Sequence, residues 1–150
     1  MQRRLIWVTL FSVAIVVTAP YHTRKVHATS KGVCSVASLK GTYAFRFTGV
    51  DDTLGGPIGE IGIQFFNGDG NRGFIRSTGS FNGVIRDWTY EPGTHGSYTV
   101  DPDCTGRFFN PDGAKTWNIV LLDGGKRFLI VKLATEAIIT GDATRLEPED

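Results

Sequence analysis

The sequence predicts an all-β domain, an antiparallel up-and-down barrel of eight to nine strands, and three observations support this prediction. Short runs of alternating apolar and polar residues recur with breaks at intervals of about ten residues. The breaks are rich in Asn, Asp, Pro and Gly, which tight turns favour, and the chain contains 19 glycines. Every link is short, which favours a closed barrel over a sandwich with a Greek-key crossover.

The first 28 residues have the composition of a signal peptide. Arg3 and Arg4 form a positive start, residues 5–19 are apolar, and Val26-His27-Ala28 fits a cleavage site with small residues. We predict cleavage after Ala28 and a secreted or periplasmic location. An uncleaved anchor is the alternative, although the apolar run is short beside the roughly 20 residues of a bilayer span. The predicted organisation is a leader at 1–28, a lead-in at 29–40, the barrel at 41–146 and an acidic tail at 147–150.

Length and charge exclude several classes of partner. The chain has 150 residues, 41% of them hydrophobic, which suits one domain with a real core. The formal net charge is +1, and the leader carries basic but no acidic side chains, so the mature chain is mildly acidic. We therefore predict no nucleic-acid partner, and no membrane association after cleavage.

Cys34 and Cys104 are the only cysteines, and in an exported chain two cysteines usually pair. Cys104 lies in the Asp-Pro-Asp-Cys corner between two predicted strands, whereas Cys34 precedes the first strand. A disulfide between them would stabilise the domain by about 4 kcal/mol in the chain-entropy model. A free buried thiol and an intermolecular bridge are the alternatives.

The first two strands predict which faces form the core. Residues 43–47 carry aromatic side chains at alternate positions, and these are predicted to face inward. In the second strand the apolar positions Ile61, Ile63 and Phe65 are predicted to face inward too, which points Glu60 to water. The alternative is an open barrel of inverted parity, in which Glu60, Arg46, Arg76 and Arg86 are interior polar groups.

The remaining strands follow at similar spacing, with turns such as Asn82-Gly83 between them. The hairpin at 116–133 turns at Asp123-Gly124-Gly125 and is apolar on both faces, so we predict cover from a second layer or from a neighbouring copy in a homo-oligomer. Gly141 is predicted to mark a bulge or bend. The predicted strands are 74–81, 84–91, 96–100, 105–110, 116–122, 126–133 and 137–146.

Several motifs resemble a family of small secreted bacterial β-barrel proteins of unassigned activity, over nearly the whole mature chain. They are Gly41-Thr42-Tyr43, the Asn-Gly-Asp-Gly turn at 67–70, Tyr-Thr-Val-Asp-Pro-Asp-Cys-Thr-Gly at 98–106, and Gly-Asp-Ala-Thr-Arg at 141–145. The start and the late Arg145 are also similar to lipocalins, where a Gly-x-Trp start packs under a late arginine. Here Tyr43 replaces the tryptophan. The architecture also resembles allene oxide cyclases and dirigent proteins, but none of their substrate-site motifs is present.

Neither a metal nor a cofactor is predicted. Asn67, Asp69 and Asn71 occupy positions one, three and five of a calcium loop, but Arg72 and Thr78 replace the required glycine and glutamate. The mature chain keeps only one histidine, and both cysteines are expected to be oxidised, so zinc has no ligand set. Phosphate-cradling and dinucleotide motifs are missing as well.

Whether the protein is an enzyme is left open by the sequence. His95 lies in a turn, where a solvated histidine is the ordinary case, and no nucleophile elbow accompanies it. If the barrel is an enzyme, the cofactor-free cyclase or isomerase class fits, with Glu60 or Asp87 assisting and His95 as a further candidate.

Aromatic strand residues favour a binding function. They either fill the core or line a pocket for a small apolar or amphipathic ligand. We therefore predict a small-molecule binding module, with the cyclase or isomerase and a filled structural or interaction domain as alternatives. The predicted ligand-binding residues are Tyr43, Phe47, Trp88, Tyr98 and Trp117.

Overall fold

The structure is a computed structural model and describes residues 33–147. The predicted leader and most of the acidic tail lie outside the described residues. Within that range there are nine strands and three short 3-10 helices, at Val36–Ser38, Asp52–Leu54 and Asp123–Gly125. The strands are β1 Lys40–Asp51, β2 Gly56–Asn67, β3 Asn71–Phe81, β4 Val84–Thr89, β5 Gly96–Val100, β6 Thr105–Phe109, β7 Lys115–Leu122, β8 Arg127–Lys132 and β9 Ala137–Arg145.

The predicted barrel is confirmed. Eight strands close a ring in the order β1-β9-β8-β7-β6-β5-β3-β2, and every pairing is antiparallel. Strand β4 lies outside the ring and pairs with β3. Strand β3 therefore divides: Asn71 and Arg72 pair with β5, whereas residues 76–81 pair with β4. Beyond Arg72, β3 no longer pairs with β5, so the barrel wall opens between these two strands.

One end of the barrel, where β1 begins, is closed by the helix Val36–Ser38; we call it the closed end and the opposite end the open end. The Tyr98 hydroxyl lies 2.7 Å from the carbonyl oxygen of Leu39 and 3.0 Å from that of Val36. Cys34 and Cys104 form a disulfide with their Cα atoms 5.0 Å apart. The helix is thereby fixed to β5 and to the corner between β5 and β6.

Aromatic rings fill the closed half of the barrel. Phe66 is central, with ring centroids 5.1 to 5.7 Å from four other rings, two of them edge-on within 5.3 Å. Such edge and tilted contacts add to the burial energy of the rings. Solvent reaches at most 2% of any ring in the cluster, which consists of Tyr43, Phe66, Tyr98, Phe108 and Phe128.

Arg145, the last residue of β9, connects this strand to the start of β1 in the closed half. Its Nε and Nη2 donate to the Tyr43 hydroxyl at 3.1 and 3.0 Å, and Nη2 also donates to the Ser38 carbonyl at 3.0 Å. The Tyr43 hydroxyl donates in turn to the Gly125 carbonyl at 2.6 Å. Tyr43 near the start of β1 and Arg145 at the end of β9 are therefore in direct contact.

The predicted facing of β2 is wrong. Phe47 pairs with Glu60 and Phe45 pairs with Gly62, so the even-numbered residues of β2 face inward, and Ile61 is 63% exposed. The physical reason is the bulk of the β1 aromatics: a Cβ on Gly62 would lie 2.7 Å from Phe45 Cζ, so glycine must stand opposite that ring.

The arginines of the inverted-parity alternative divide. Arg46 and Arg76 face outward, and Arg46 forms an ion pair with Asp142 on the outer wall. Arg86 pairs with inward-facing Gly79, but it lies on β4 outside the ring and is exposed. The inward-facing residues of β2 are Ile58, Glu60, Gly62, Gln64 and Phe66.

Of the two kinds of cover predicted for the 116–133 hairpin, a second layer is not present within residues 33–147. Ile119 and Ile130 face inward and are buried, whereas Val120, Leu129 and Val131 face outward and are 44%, 48% and 39% exposed. A homo-oligomer through this face stays a prediction. Gly141 pairs in register with Phe47 and Ile130, so β9 has no bulge there. A Cβ added at position 141 would lie 2.5 Å from Phe47 Cδ1, so the close approach of this ring requires glycine there.

Candidate functional site

Aromatic rings also line the open half of the barrel. Phe47 stacks on Trp117 with centroids 5.0 Å apart and on Phe45 with centroids 4.5 Å apart. Ile130 and Ile139 are buried on neighbouring strands of the same inner face. This half therefore offers a continuous apolar surface built on β1, β7, β8 and β9.

The edge of the open half is less buried than the closed half. Several inward-facing side chains there are only half-buried, and they come from β2, β3 and β7. Solvent therefore reaches this edge, whereas the stacked rings of Phe45 and Phe47 are only 4% and 6% exposed and pack as core. These half-buried residues are Ile58, Glu60, Phe74, Phe81 and Trp117.

Trp88 belongs to the part of the wall that opens beyond Arg72. It pairs with Ser77 and so faces the inner side of the β3–β4 extension, where its ring packs edge-on against Phe81 at 5.3 Å. In the described part of the chain β4 pairs with no strand other than β3, so its second edge is open. Trp88 therefore stands at the side of the accessible half, outside the closed ring.

Two buried polar side chains lie level with the filled half, since Gln64 pairs with Tyr43 and Arg72 pairs with Phe66. Gln64 is 1% exposed, and neither its Nε2 nor its Oε1 has a hydrogen-bond partner in the described residues. Arg72 is 3% exposed, and its Nε likewise has none. Buried polar groups are nearly always hydrogen-bonded, so each of these groups calls for an explanation.

The Arg72 guanidinium is held by aromatic rings. Its Cζ lies 4.7 Å from the Phe108 centroid and 5.4 Å from the Phe74 centroid. Among the ion pairs of residues 33–147 none includes Arg72. Burial lowers the pKa of Arg72 to about 10, so the group stays charged at neutral pH with no counter-charge.

Glu60 faces inward, contrary to the expected outward position. Burial raises the pKa of its carboxyl group, and interaction with the Ser77 hydroxyl partly offsets that rise. The Ser77 hydroxyl also lies 3.4 Å from the Tyr90 hydroxyl. A half-buried carboxyl group with a raised pKa is able to exchange protons.

The raised pKa of Glu60 predicts a pH effect on stability. A carboxyl group whose folded-state pKa lies above its ordinary value of 4.5 favours folding at low pH, and that contribution is lost as the pH rises through the folded-state pKa. We expect the melting temperature of the wild-type protein to fall relative to Glu60→Gln between about pH 4 and pH 7. If the melting temperatures of the two proteins instead change in parallel with pH across that range, burial does not raise the pKa of Glu60.

The other two catalytic candidates occupy structural positions. Asp87 is exposed and accepts a hydrogen bond from the Thr78 hydroxyl at 2.6 Å, on the outer side of β4. His95 Nδ1 accepts from the Phe74 backbone N–H at 3.1 Å, and its ring packs against Tyr90. Glu60 alone of the three therefore combines an inward position with partial burial.

The five predicted ligand-binding residues divide between the two halves. Tyr43 and Tyr98 belong to the closed half, where both hydroxyl groups are hydrogen-bonded. Phe47 and Trp117 lie together in the open half, and Trp88 stands at its side. Gln64 and Arg72 were not predicted as site residues.

The outer wall also has open depressions. One of about 550 Å³ lies over β1, β8 and β9 and is bordered by the exposed pair Arg46 and Asp142. Another, of about 400 Å³, lies over β1, β2 and β3 beside Ile61. The buried polar atoms without partners in residues 33–147 belong to inward-facing Gln64 and Arg72, so the site chemistry points to the interior.

The comparisons with known proteins identify no family. No family model matches the chain, and no curated protein matches it either. One solved structure that matches is a de novo designed fluorescence-activating β-barrel, with 16% sequence identity and a TM-score of 0.43. The match covers 74% of this chain and 96% of the designed chain.

Residues 33–147 contain no helix long and apolar enough to cross a membrane. That same part of the chain holds no group of three or more His, Cys, Asp or Glu side chains arranged to bind a metal ion.

Proposed function

We propose that the protein is an exported binding module that takes a small apolar or amphipathic ligand into the open half of the barrel. The observation that carries this proposal is the half-buried ring of Trp117, which stacks on Phe47 at an edge of the inner face where other inward-facing side chains are half-buried too. An apolar surface kept open to solvent costs free energy, and binding pockets are where folded proteins accept that cost.

Export is part of the proposal and is supported by the paired cysteines. A disulfide persists in oxidising compartments and is rare in the cytosol. Cys34 and Cys104 are paired in the structure. Identification of the mature N-terminus by mass spectrometry of the protein recovered outside the cytosol tests this part, and an intact residue 1 contradicts cleavage after Ala28.

Glu60 supports a second candidate function, a cofactor-free isomerase in the same pocket. Its inward position and raised pKa suit a group that removes a proton from one carbon of a bound substrate and returns it to another. Gln in place of Glu60 would keep the shape of the pocket and remove this capacity. Binding in this case precedes the chemistry, so both candidates need the same pocket.

A neutral fluorescent dye, N-phenyl-1-naphthylamine, tests binding directly. We expect saturable fluorescence enhancement with the wild-type protein and an affinity about tenfold lower for Trp117→Ala, because truncation removes a large stacked surface. Leu129→Ala is the matched control, since Leu129 is outward-facing and 48% exposed.

The two variants distinguish the interior from the outer wall. An unchanged affinity for Leu129→Ala supports the proposal. Loss of dye binding in Leu129→Ala but not in Trp117→Ala would place the dye on the outer wall and reject the proposed pocket.

A further inference from the structure

We propose that the ligand carries a carboxylate, which Arg72 receives with the help of the Gln64 amide at the inner end of the pocket. This inference rests on the proposed binding function. It goes beyond that function by assigning the polar end of the ligand and the two side chains that recognise it.

Strand register places the two side chains together. Arg72 pairs with Phe66 and Gln64 pairs with Phe74, so Arg72 and Gln64 are diagonal neighbours on the inner face of β2 and β3. Diagonal neighbours in an antiparallel pair lie within reach of long side chains. One small group placed between them is therefore able to contact both.

The chemistry of the unpartnered atoms selects an anion. The guanidinium is planar, permanently charged and well suited to bind a carboxylate through two parallel hydrogen bonds. Gln64 Nε2 supplies a further donor. Burying a charge without a partner is expensive, and a ligand carboxylate would supply the missing charge and accept from Arg72 Nε and Gln64 Nε2. Gln64 Oε1, which also lacks a partner, needs a donor that the carboxylate does not bring.

Glu60 does not neutralise Arg72. The two side chains belong to the same inner face, but Arg72 stands opposite Phe66, six positions along β2 from Glu60. That separation is roughly 20 Å along a strand. Arg72 is therefore left for an external anion.

The position of Arg72 also suits an amphipathic ligand. Its guanidinium contacts Phe108 of the filled half and Phe74, which is half-buried in the accessible half. A carboxylate held there would direct an apolar chain toward the open end, along Phe45, Phe47 and Trp117.

A matched series of ten-carbon ligands tests the inference. Decanoate, decanol and decylamine are titrated against the protein loaded with the neutral dye. We expect decanoate to displace the dye at a concentration about tenfold or more below that of decanol, and decylamine to be the weakest, because a charged hydrogen-bonded pair is gained only with decanoate.

The Arg72→Met variant supplies the second comparison. Methionine keeps a similar length and apolar contact but removes the charge, so decanoate should lose its advantage while decanol displaces the dye as before. Gln64→Leu should lose part of the advantage. If Arg72→Met does not fold, the ratio of the concentrations at which decanoate and decanol displace the dye from the wild-type protein still tests the carboxylate assignment.

The outcomes separate this inference from the proposed function. Equal displacement by decanoate and decanol, or dye binding that neither displaces, overturns the carboxylate assignment and leaves the binding function standing. Failure of the dye and of all three ligands to bind rejects the binding function, and the carboxylate assignment with it.

Discussion

Replacing Cys34 and Cys104 by serine should lower the free energy of unfolding by about 4 kcal/mol, as expected for a disulfide that closes a loop of some 70 residues. The bond joins the segment before the first strand to the corner between β5 and β6. Without it the helix Val36–Ser38 keeps its hydrogen bonds to Tyr98 but loses its covalent link to the barrel. A small domain has a net stability of only about 5–15 kcal/mol, so the effect is large.

Urea denaturation of the oxidised wild-type protein and of the double serine variant measures the effect. Chemical reduction of the wild-type protein is the matched control and should give nearly the same midpoint as the variant. A change below about 1 kcal/mol would mean that the closed end is held by its hydrogen bonds alone.

Truncation of Phe66 to alanine should cost about 3–5 kcal/mol, because its buried ring touches four other rings of the closed half. The adjacent Phe65 faces outward and is half-buried, so Phe65→Ala should cost only about 1 kcal/mol. The two variants remove the same group from opposite faces of β2.

Thermal or urea unfolding of both variants gives the comparison. A larger loss for Phe65→Ala than for Phe66→Ala would restore the facing expected from the alternation of Ile61, Ile63 and Phe65, and would contradict the observed register of β2 with β1.

The barrel itself could be predicted from the sequence, because turn residues and alternating strands are local signals. Each predicted strand from residue 43 to residue 146 overlaps an observed one, and only the details of β4 and its separation from the ring were missed. The pairing of Cys34 with Cys104 was predictable too, since there are no other cysteines.

The facing of β2 could not be predicted because both of its faces carry apolar side chains. Alternation alone favours Ile61, Ile63 and Phe65 as the core face. The decisive factor is the packing partner: in the observed register Gly62 stands opposite Phe45, where a Cβ would lie 2.7 Å from the Phe45 ring. This is a contact between distant residues, which a local pattern does not contain.

The inward positions of Gln64 and Arg72 could not be predicted for the same reason. Gln64 occupies a position that alternation assigns to solvent, and Arg72 follows a turn, where a charged residue is ordinary. Only the register of β2 with β3 shows that both side chains are inside and adjacent. Phe47 and Trp117, in contrast, were predicted as site residues from their aromatic character.

Tryptophan quenching tests most directly whether the open half of the barrel binds a ligand. Trp88→Phe leaves Trp117 as the sole tryptophan after residue 28, because the third tryptophan, Trp7, lies in the predicted leader. We expect a decanoate brominated at the end of its chain to quench Trp117 fluorescence saturably, with unbrominated decanoate reversing the effect by competition. Quenching that rises linearly without saturation, or that unbrominated decanoate does not reverse, would contradict a binding site in the open half of the barrel.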